Sequence, residues 1–329
     1  MDPTLFFVLI ASLFLGWCAG ANDAASAVGT SLGARTLSYR KAVLIVVVFS
    51  MLGFLLQGQQ VVDTVGGGIL PKEVFAGNGK VVLAALIAAS VITFATVLLA
   101  LPISINHTLI GGIVGMAWIL GMAGSLDYGT LSRVMACWLA TPFISFAVTL
   151  LFHKLVVTPI ARRMDWIIFS QIFKLLAVAS AMIVSYSLGA SAIGTILSPL
   201  LSSEIDGVLP SSGPIPPRLL LGLLVAVAFG LGVVIFSGRV IRTLSSKIAL
   251  LGPATAFSAQ FSAAVTVYGF VLIGLPASIT HAVVGSIAAV GALKGTETLG
   301  TKTVGSIILG WTLAPLLSAA LAVGVYSLL

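Results

Sequence analysis

Acidic residues are scarce in this chain. Only 9 of its 329 residues are Asp or Glu, charged residues of both signs make up 8%, and hydrophobic residues make up 59%. So little charge, at a mean hydropathy of +1.20, excludes an ordinary soluble globule. Cysteine is nearly missing too. Cys18 and Cys137 both fall in hydrophobic segments, without Cys-x-x-Cys or Cys/His spacing, which excludes a disulfide framework and a cysteine metal site. His-Glu-x-x-His and nucleophile–base spacings are absent, which argues against an enzyme and leaves no cofactor to assign beyond a coupling ion. The apolar runs show no period-two alternation, so an outer-membrane barrel is excluded. The formal net charge is +7, but the cations sit in short connections and not in a patch interleaved with aromatics. They report membrane topology, and no nucleic-acid partner is expected.

What is present is a series of apolar runs, from Leu5–Leu15 through to Val304–Leu328, several of them short or broken by glycine. Bilayer-spanning helices need on the order of 20 such residues. The expected fold is therefore an all-α polytopic membrane protein in contact with lipid. The start, Met1-Asp2-Pro3, lacks the basic region and cleavage site of a removable signal, so the first run is expected to remain as a membrane helix.

The chain also repeats itself. Leu101-Pro-Ile-Ser-Ile-Asn-His-Thr-Leu-Ile-Gly111 matches Leu275-Pro-Ala-Ser-Ile-Thr-His-Ala-Val-Val-Gly285, and Trp138 and Pro142 echo Trp311 and Pro315. At nearly the same offset Gly20-Ala21-Asn22-Asp23 echoes Gly189-Ala190-Ser191-Ala192, and Val61-Val62-Asp63-Thr64 echoes Val240-Ile241-Arg242-Thr243. The last pair reads as one loop, acidic in the first copy and basic in the second. Because cytoplasmic loops collect Lys and Arg, the two copies are expected on opposite sides of the membrane. Arg35, Arg40 and Lys41 then share the cytoplasmic side with Lys154, Arg162, Arg163 and Lys174, and the N-terminus lies outside. This predicts two inverted-topology repeats with broken or re-entrant helices, the pattern of secondary transporters. The boundaries are 1–153 for the first repeat, 154–170 for a cytoplasmic connection and 171–329 for the second, in which Ser202–Arg218 is a polar loop.

Asp23 is the one carboxylate that falls inside apolar sequence, within Gly20–Thr30. An intramembrane acid is costly and marks an ion or substrate site by default, the plainer reading being a helix cap. Glycines and small residues around it predict unwound backbone lining a cavity. In the two Pro-x-Ser stretches, proline suits a first helical turn, and a helix starting within the membrane aims its free N–H groups and nearby hydroxyls at one point. Two such starts facing each other would enclose a tetrahedral oxyanion with Ser104, Asn106, Ser278 and Thr280; the plainer reading is backbone satisfaction at proline kinks. No Arg or Lys lies in these stretches, so a co-bound cation is expected. Asn22 and Asp23 supply hard oxygen ligands for Na+. His107 and His281 are proton carriers or structural hydrogen-bond partners, and Gln260, Ser262 and Thr266 line the cavity or pack helices.

At these residues the chain resembles the inorganic phosphate transporter (PiT) family, whose halves each carry a G-A-N-D-x-A-N-A-x-G-T and a G-L-P-V-S-T-T-H stretch. Gly20–Thr30 fits the first, with Ser26 in place of the second Asn, and Leu101–His107 and Gly274–His281 fit the other pair. The resemblance covers essentially the whole chain. It implies oxyanion uptake driven by Na+ or H+, usually by a homodimer, with Gln260 standing where the family has a Glu near the cation site. Ser191 and Ala192 replace the second Asn-Asp, a loss that resembles the sulfate permease branch of the family. Asp23 can accept the hydrogen bond that phosphate donates and sulfate does not. The expected function is symport of inorganic phosphate across the cytoplasmic membrane, with sulfate permease as the alternative and an anion channel as the reading from another class.

Overall fold

The computed structural model describes residues 3–66, 69, 78–203, 215–246, 248, 251–295 and 300–329. Its helices are α1 (Pro3–Gly33), α2 (Tyr39–Gly66), α3 (Gly79–Leu98), α4 (Ile105–Ile119), α5 (Tyr128–Phe152), α6 (Thr158–Arg163), α7 (Trp166–Leu188), α8 (Gly194–Ser202), α9 (Pro217–Phe236), α10 (Gly238–Ser246), α11 (Pro253–Leu272), α12 (Ile279–Lys294) and α13 (Thr301–Tyr326). A π-helical turn at His153–Val157 carries α5 into α6, and another at Gly189–Ile193 carries α7 into α8. Among the described residues, 8 helices are long and apolar enough to cross a membrane. The protein is all-α and multi-pass, an architecture that pairs most backbone groups within each helix, as a bilayer demands.

Two short helices break this pattern. α4 has 15 residues and α12 has 16, so at 1.5 Å per residue each spans roughly 22–24 Å, short of the ~30 Å hydrocarbon core. Each is the second arm of a hairpin, and the hairpins are built alike. α3 closes with Leu101 N–H on the Thr96 carbonyl and Ala100 N–H on Val97; α11 closes with Leu275 N–H on Phe270 and Gly274 N–H on Val271. Both are Schellman ends with a left-handed residue, Ala100 at φ +55 and Gly274 at φ +73, the alanine bearing a Cβ penalty that the glycine escapes. Leu-Pro follows in each, and proline holds its neighbour extended. The next helix then starts after Ser104 or Ser278.

Packing between helices also comes in matched pairs. Gly20 of α1 lies against the Phe229 carbonyl of α9, and Gly189 lies against the Ser50 carbonyl of α2; Gly111 of α4 meets the Pro315 carbonyl of α13, and Gly285 of α12 meets that of Pro142 in α5. A Cβ at any of them would fall on neighbouring backbone, so these crossings exist only with glycine.

Several expectations are corrected. Gly20–Thr30 is not unwound, since α1 runs unbroken from Pro3 to Gly33. Its glycines serve close approach: Gly16 and Gly20 admit the α9 backbone, and Gly29 and Gly33 admit Leu244 and Ser245 of α10. Asp63 is not in a loop but in the last turn of α2, and Arg242 is in α10; Gly67, Gly68 and Lys247 lie outside the described residues. The runs Ile172–Leu188 and Ile193–Leu201 are joined through the π-helical turn. Helix continues from Lys154 to Arg163, where Met164 and Asp165 interrupt it and Asp165 caps α7 by accepting from Ile167 and Ile168 N–H. Glu204, Asp206, Pro210, Ser211, Ser212 and Pro214 lie outside the described residues.

Candidate functional site

The stretches between hairpin arms are extended backbone in the protein interior, and their N–H and C=O groups need partners that no ladder supplies. At the first hairpin Asn22 provides them. Its Oδ1 accepts from Ile103 N–H at 3.1 Å, and its Nδ2 donates to the Leu101 carbonyl at 3.2 Å and to Thr96 Oγ1 at 3.0 Å. At the second, Ser191 Oγ donates to the Ala277 carbonyl at 3.3 Å, and Trp138 Nε1 donates to the Pro276 carbonyl at 2.9 Å. Ser191 is in register with Asn22 in the sequence match of Gly189–Ala192 to Gly20–Asp23, and it reaches less far. Asn106 covers the difference from the opposite hairpin. Its Nδ2 lies 3.2 Å from the Pro276 and Ala277 carbonyls and 3.1 Å from Ser191 Oγ.

This crossing brings the two helix starts together around one cavity. Its walls are Asp23, Ser104, Asn106, Ser191 and Thr280, closed by Leu188, Ala192, Ala277 and Ile279, and its volume is about 10 Å³, roughly what one water needs. Asp23 Oδ1 and Asn106 Oδ1 are buried here without a hydrogen-bond partner among the described residues. Buried acceptors without donors are costly, so the cavity is suited to something that supplies positive charge or protons. Ser104 makes no cap bond to α4. Thr280 Oγ1 lies 2.9 Å from Ser26 Oγ of α1.

The other expected site residues are placed as follows. Ser278 is fully buried, and its hydroxyl accepts from His281 N–H at 3.3 Å, capping α12 next to the cavity but outside its walls. Gln260 takes the Thr30 hydroxyl and donates to the Ala27 carbonyl, which ties α11 to α1 beyond Asp23 and outside the cavity. Thr266 donates to the Ser262 carbonyl within α11, and the Ser262 hydroxyl is buried without a partner among the described residues. The cavity residue missed in the sequence is Ser191. The signal was its register with Asn22, where only the loss of amide and acid was read.

The histidines have a specific structural task. A proline inside a helix leaves the carbonyl four residues earlier without its N–H. Pro142 frees that of Trp138, and Pro315 frees that of Trp311. His281 Nδ1 lies 2.9 Å from the Trp138 carbonyl, and His107 Nδ1 lies 3.4 Å from that of Trp311. Each Nδ1 therefore carries the proton and donates it. The rings meet as well, His107 tilted at 4.0 Å from Trp138, His281 tilted at 3.7 Å from Trp311, and the two imidazoles edge-on at 4.6 Å. The hairpin bearing His281 is thereby locked to α5, and the one bearing His107 to α13.

Residues 19–322 match the sequence model of the PHO4 phosphate transporter family. A relative from Rhizobium meliloti (strain 1021), "Probable low-affinity inorganic phosphate transporter", is 30% identical over 95% of this chain and 94% of its own length. "Inorganic phosphate transporter 2-1, chloroplastic", from Arabidopsis thaliana, is 25% identical over 97% of this chain and 71% of its own. A solved structure described as "The sodium-dependent phosphate transporter" is similar at a TM-score of 0.84 and 25% identity, over 99% of this chain and 98% of that one. These relatives are named as transporters, not enzymes. None of the three is named for sulfate, so the sulfate permease branch suggested by the missing acids gains no support from them.

Proposed function

The chain belongs to the phosphate transporter family, and from that premise we propose that it is a symporter carrying inorganic phosphate across the cytoplasmic membrane, coupled to Na+ or H+. The observation that carries this reading is the convergence of the α4 and α12 starts and Asp23 on one buried cavity. Helix starts offer N–H groups and positive dipole ends to an anion. Ser104, Asn106 and Thr280 add donors, and the Ser278 hydroxyl can accept from His281 while donating its own proton. Asp23 takes the coupling cation, or accepts from a protonated phosphate oxygen. Asn22 holds the first linker and has a lone pair left for Na+. Gln260 is tied to α1 and positions the helix that bears Asp23. The name of the structural neighbour favours Na+.

At about 10 Å³ the cavity is closed around roughly one water, so phosphate enters only when Asn106 releases the second linker. Alternating access would follow from two inverted repeats, 1–153 and 171–329, joined by a cytoplasmic connection at 154–170, with the N-terminus outside. The like-built hairpins and matched glycine contacts support the repeats. The gathering of Arg162 and Arg163 after α5 and of Arg40 and Lys41 at the start of α2 supports the orientation. Exposed apolar faces such as Leu139 and Phe143 on α5 suit lipid and a second copy in a homodimer.

Counterflow in liposomes tests the reading. Vesicles loaded with phosphate should transiently concentrate labelled phosphate, excess unlabelled phosphate should abolish this, and sulfate should compete weakly. No counterflow, or equal competition by sulfate, would overturn the phosphate assignment.

A further inference from the structure

A second and larger cavity, about 210 Å³, lies where α2 ends, α8 ends and α9 begins, lined by Val62, Asp63, Gly66, Ser198, Leu201, Ser202 and Arg218. It has room for several waters at roughly 30 Å³ each. Arg218 sits in the first turn of α9, with Nη2 3.3 Å from Asp63 Oδ1; the side chains are 45% and 58% exposed. Asp63 Oδ1 also accepts from Gln59 Nε2 at 2.7 Å, so the carboxylate keeps a partner if the arginine leaves. An exposed pair of this kind holds weakly, whereas a guanidinium fork matches phosphate oxygens bidentately. Between the two cavities Ser202, Ser198 and Thr195 of α8 and Ser191 of the π-helical turn before it recur at helical spacing on one face, Ser202 and Ser198 donating to the Gly66 and Val62 carbonyls of α2. Thr195 Oγ1, midway, is buried without a hydrogen-bond partner among the described residues. The second repeat's equivalent of Asp63 is Arg242, where Gly29 and Gly33 pack directly on α10.

We infer that this cavity is a vestibule where an incoming phosphate first docks on Arg218, displacing Asp63, before it passes along the hydroxyl face to the inner cavity. The inference rests on the phosphate reading above and assigns the step before the inner site. Arg218 is thus a specificity-determining residue for capture, and Asp63 is its competitor.

The test compares two substitutions in reconstituted full-length protein, read as the KM and maximal rate for external phosphate. Arg218→Gln should raise KM about three- to fivefold, the scale of one exposed charge contact, with the maximal rate unchanged, and Arg218→Lys should recover part of the loss. Asp63→Asn frees Arg218 and should lower KM or leave it at the parental value. An ion pair that only holds helix ends together predicts the same change in both variants, since each breaks the pair. Coincident KM values in Arg218→Gln and Asp63→Asn, or an unaltered KM in Arg218→Gln, would overturn the vestibule while leaving the inner site standing. A parent protein without phosphate uptake would remove the phosphate reading and the vestibule together.

Discussion

Asn22→Ala removes the side chain that satisfies the first linker. Three contacts are lost: Ile103 N–H to Oδ1, and Nδ2 to the Leu101 carbonyl and to Thr96 Oγ1. Thr96 still donates to the Thr93 carbonyl at 2.7 Å, so its loss is minor. The Ile103 N–H is left buried and unpaired, and the part-buried Leu101 carbonyl loses its Asn22 donor. The buried N–H costs about 1–3 kcal/mol and the part-buried carbonyl adds less, together a sizeable part of the roughly 5–15 kcal/mol that holds a typical domain folded. The assay is the fraction of detergent-solubilised protein that stays monodisperse after heating, with and without Na+. Asn22→Ala is expected to lose heat resistance relative to the parent in both conditions. Parental heat resistance in Asn22→Ala would refute the brace; a deficit that appears only with Na+ would make Asn22 primarily an ion ligand.

His281→Leu should lower heat resistance by leaving the Trp138 carbonyl unpaired, and most of that loss should vanish in a Pro142→Ala background, where residue 142 regains an N–H for the same carbonyl. Equal losses in both backgrounds, read as a double-mutant cycle, would show that His281 acts otherwise. Asp127 caps α5 through Thr130 Oγ1, at 2.7 Å, and the N–H groups of Thr130 and Gly129, and its carboxyl is held below the ordinary range chiefly by the Thr130 hydroxyl and then by the Thr130 N–H. Its contribution is therefore complete above the ordinary carboxylate range and is lost as pH falls through the lowered value. Asp127→Asn should flatten the acid limb of the heat-resistance profile, and an unchanged limb would exclude this cap as its source.

Much of this was legible because a bilayer permits few solutions. Hydropathy gave the spanning helices, and the doubled Leu-Pro-x-Ser stretch marked both short helices at Ser104 and Ser278. What misled was glycine. In Gly16-x-x-x-Gly20 and Gly29-x-x-x-Gly33 the spacing of four puts both glycines on one helix face, a close-packing signature, whereas glycine content alone predicts unwound backbone over Gly20–Thr30. The only departure from α-helix at the equivalent place in the second half is the π-helical turn at Gly189–Ile193 among the described residues, and composition does not tell these cases apart, since Gly189 packs on Ser50 as Gly20 packs on Phe229. The crossed partnership of His107 with Trp311 and His281 with Trp138 was hidden because a repeat shows which residues are equivalent, not which copy each one touches. Ser191 was hidden for a related reason: its duty is divided with Asn106, 85 residues away in sequence.

The central claim is that Asp23 offsets the charge that travels with the anion. It is tested most directly by phosphate accumulation against a gradient in liposomes containing Asp23→Asn, beside the parent and under imposed Na+ and H+ gradients. Asn keeps size and polarity but not charge, and Ala192 at the equivalent position offers no second acid. The account predicts that the parent concentrates phosphate, while Asp23→Asn, inserted and folded to the same extent, does not. Accumulation by Asp23→Asn at near the parental rate would contradict it and leave Asp23 no role in coupling.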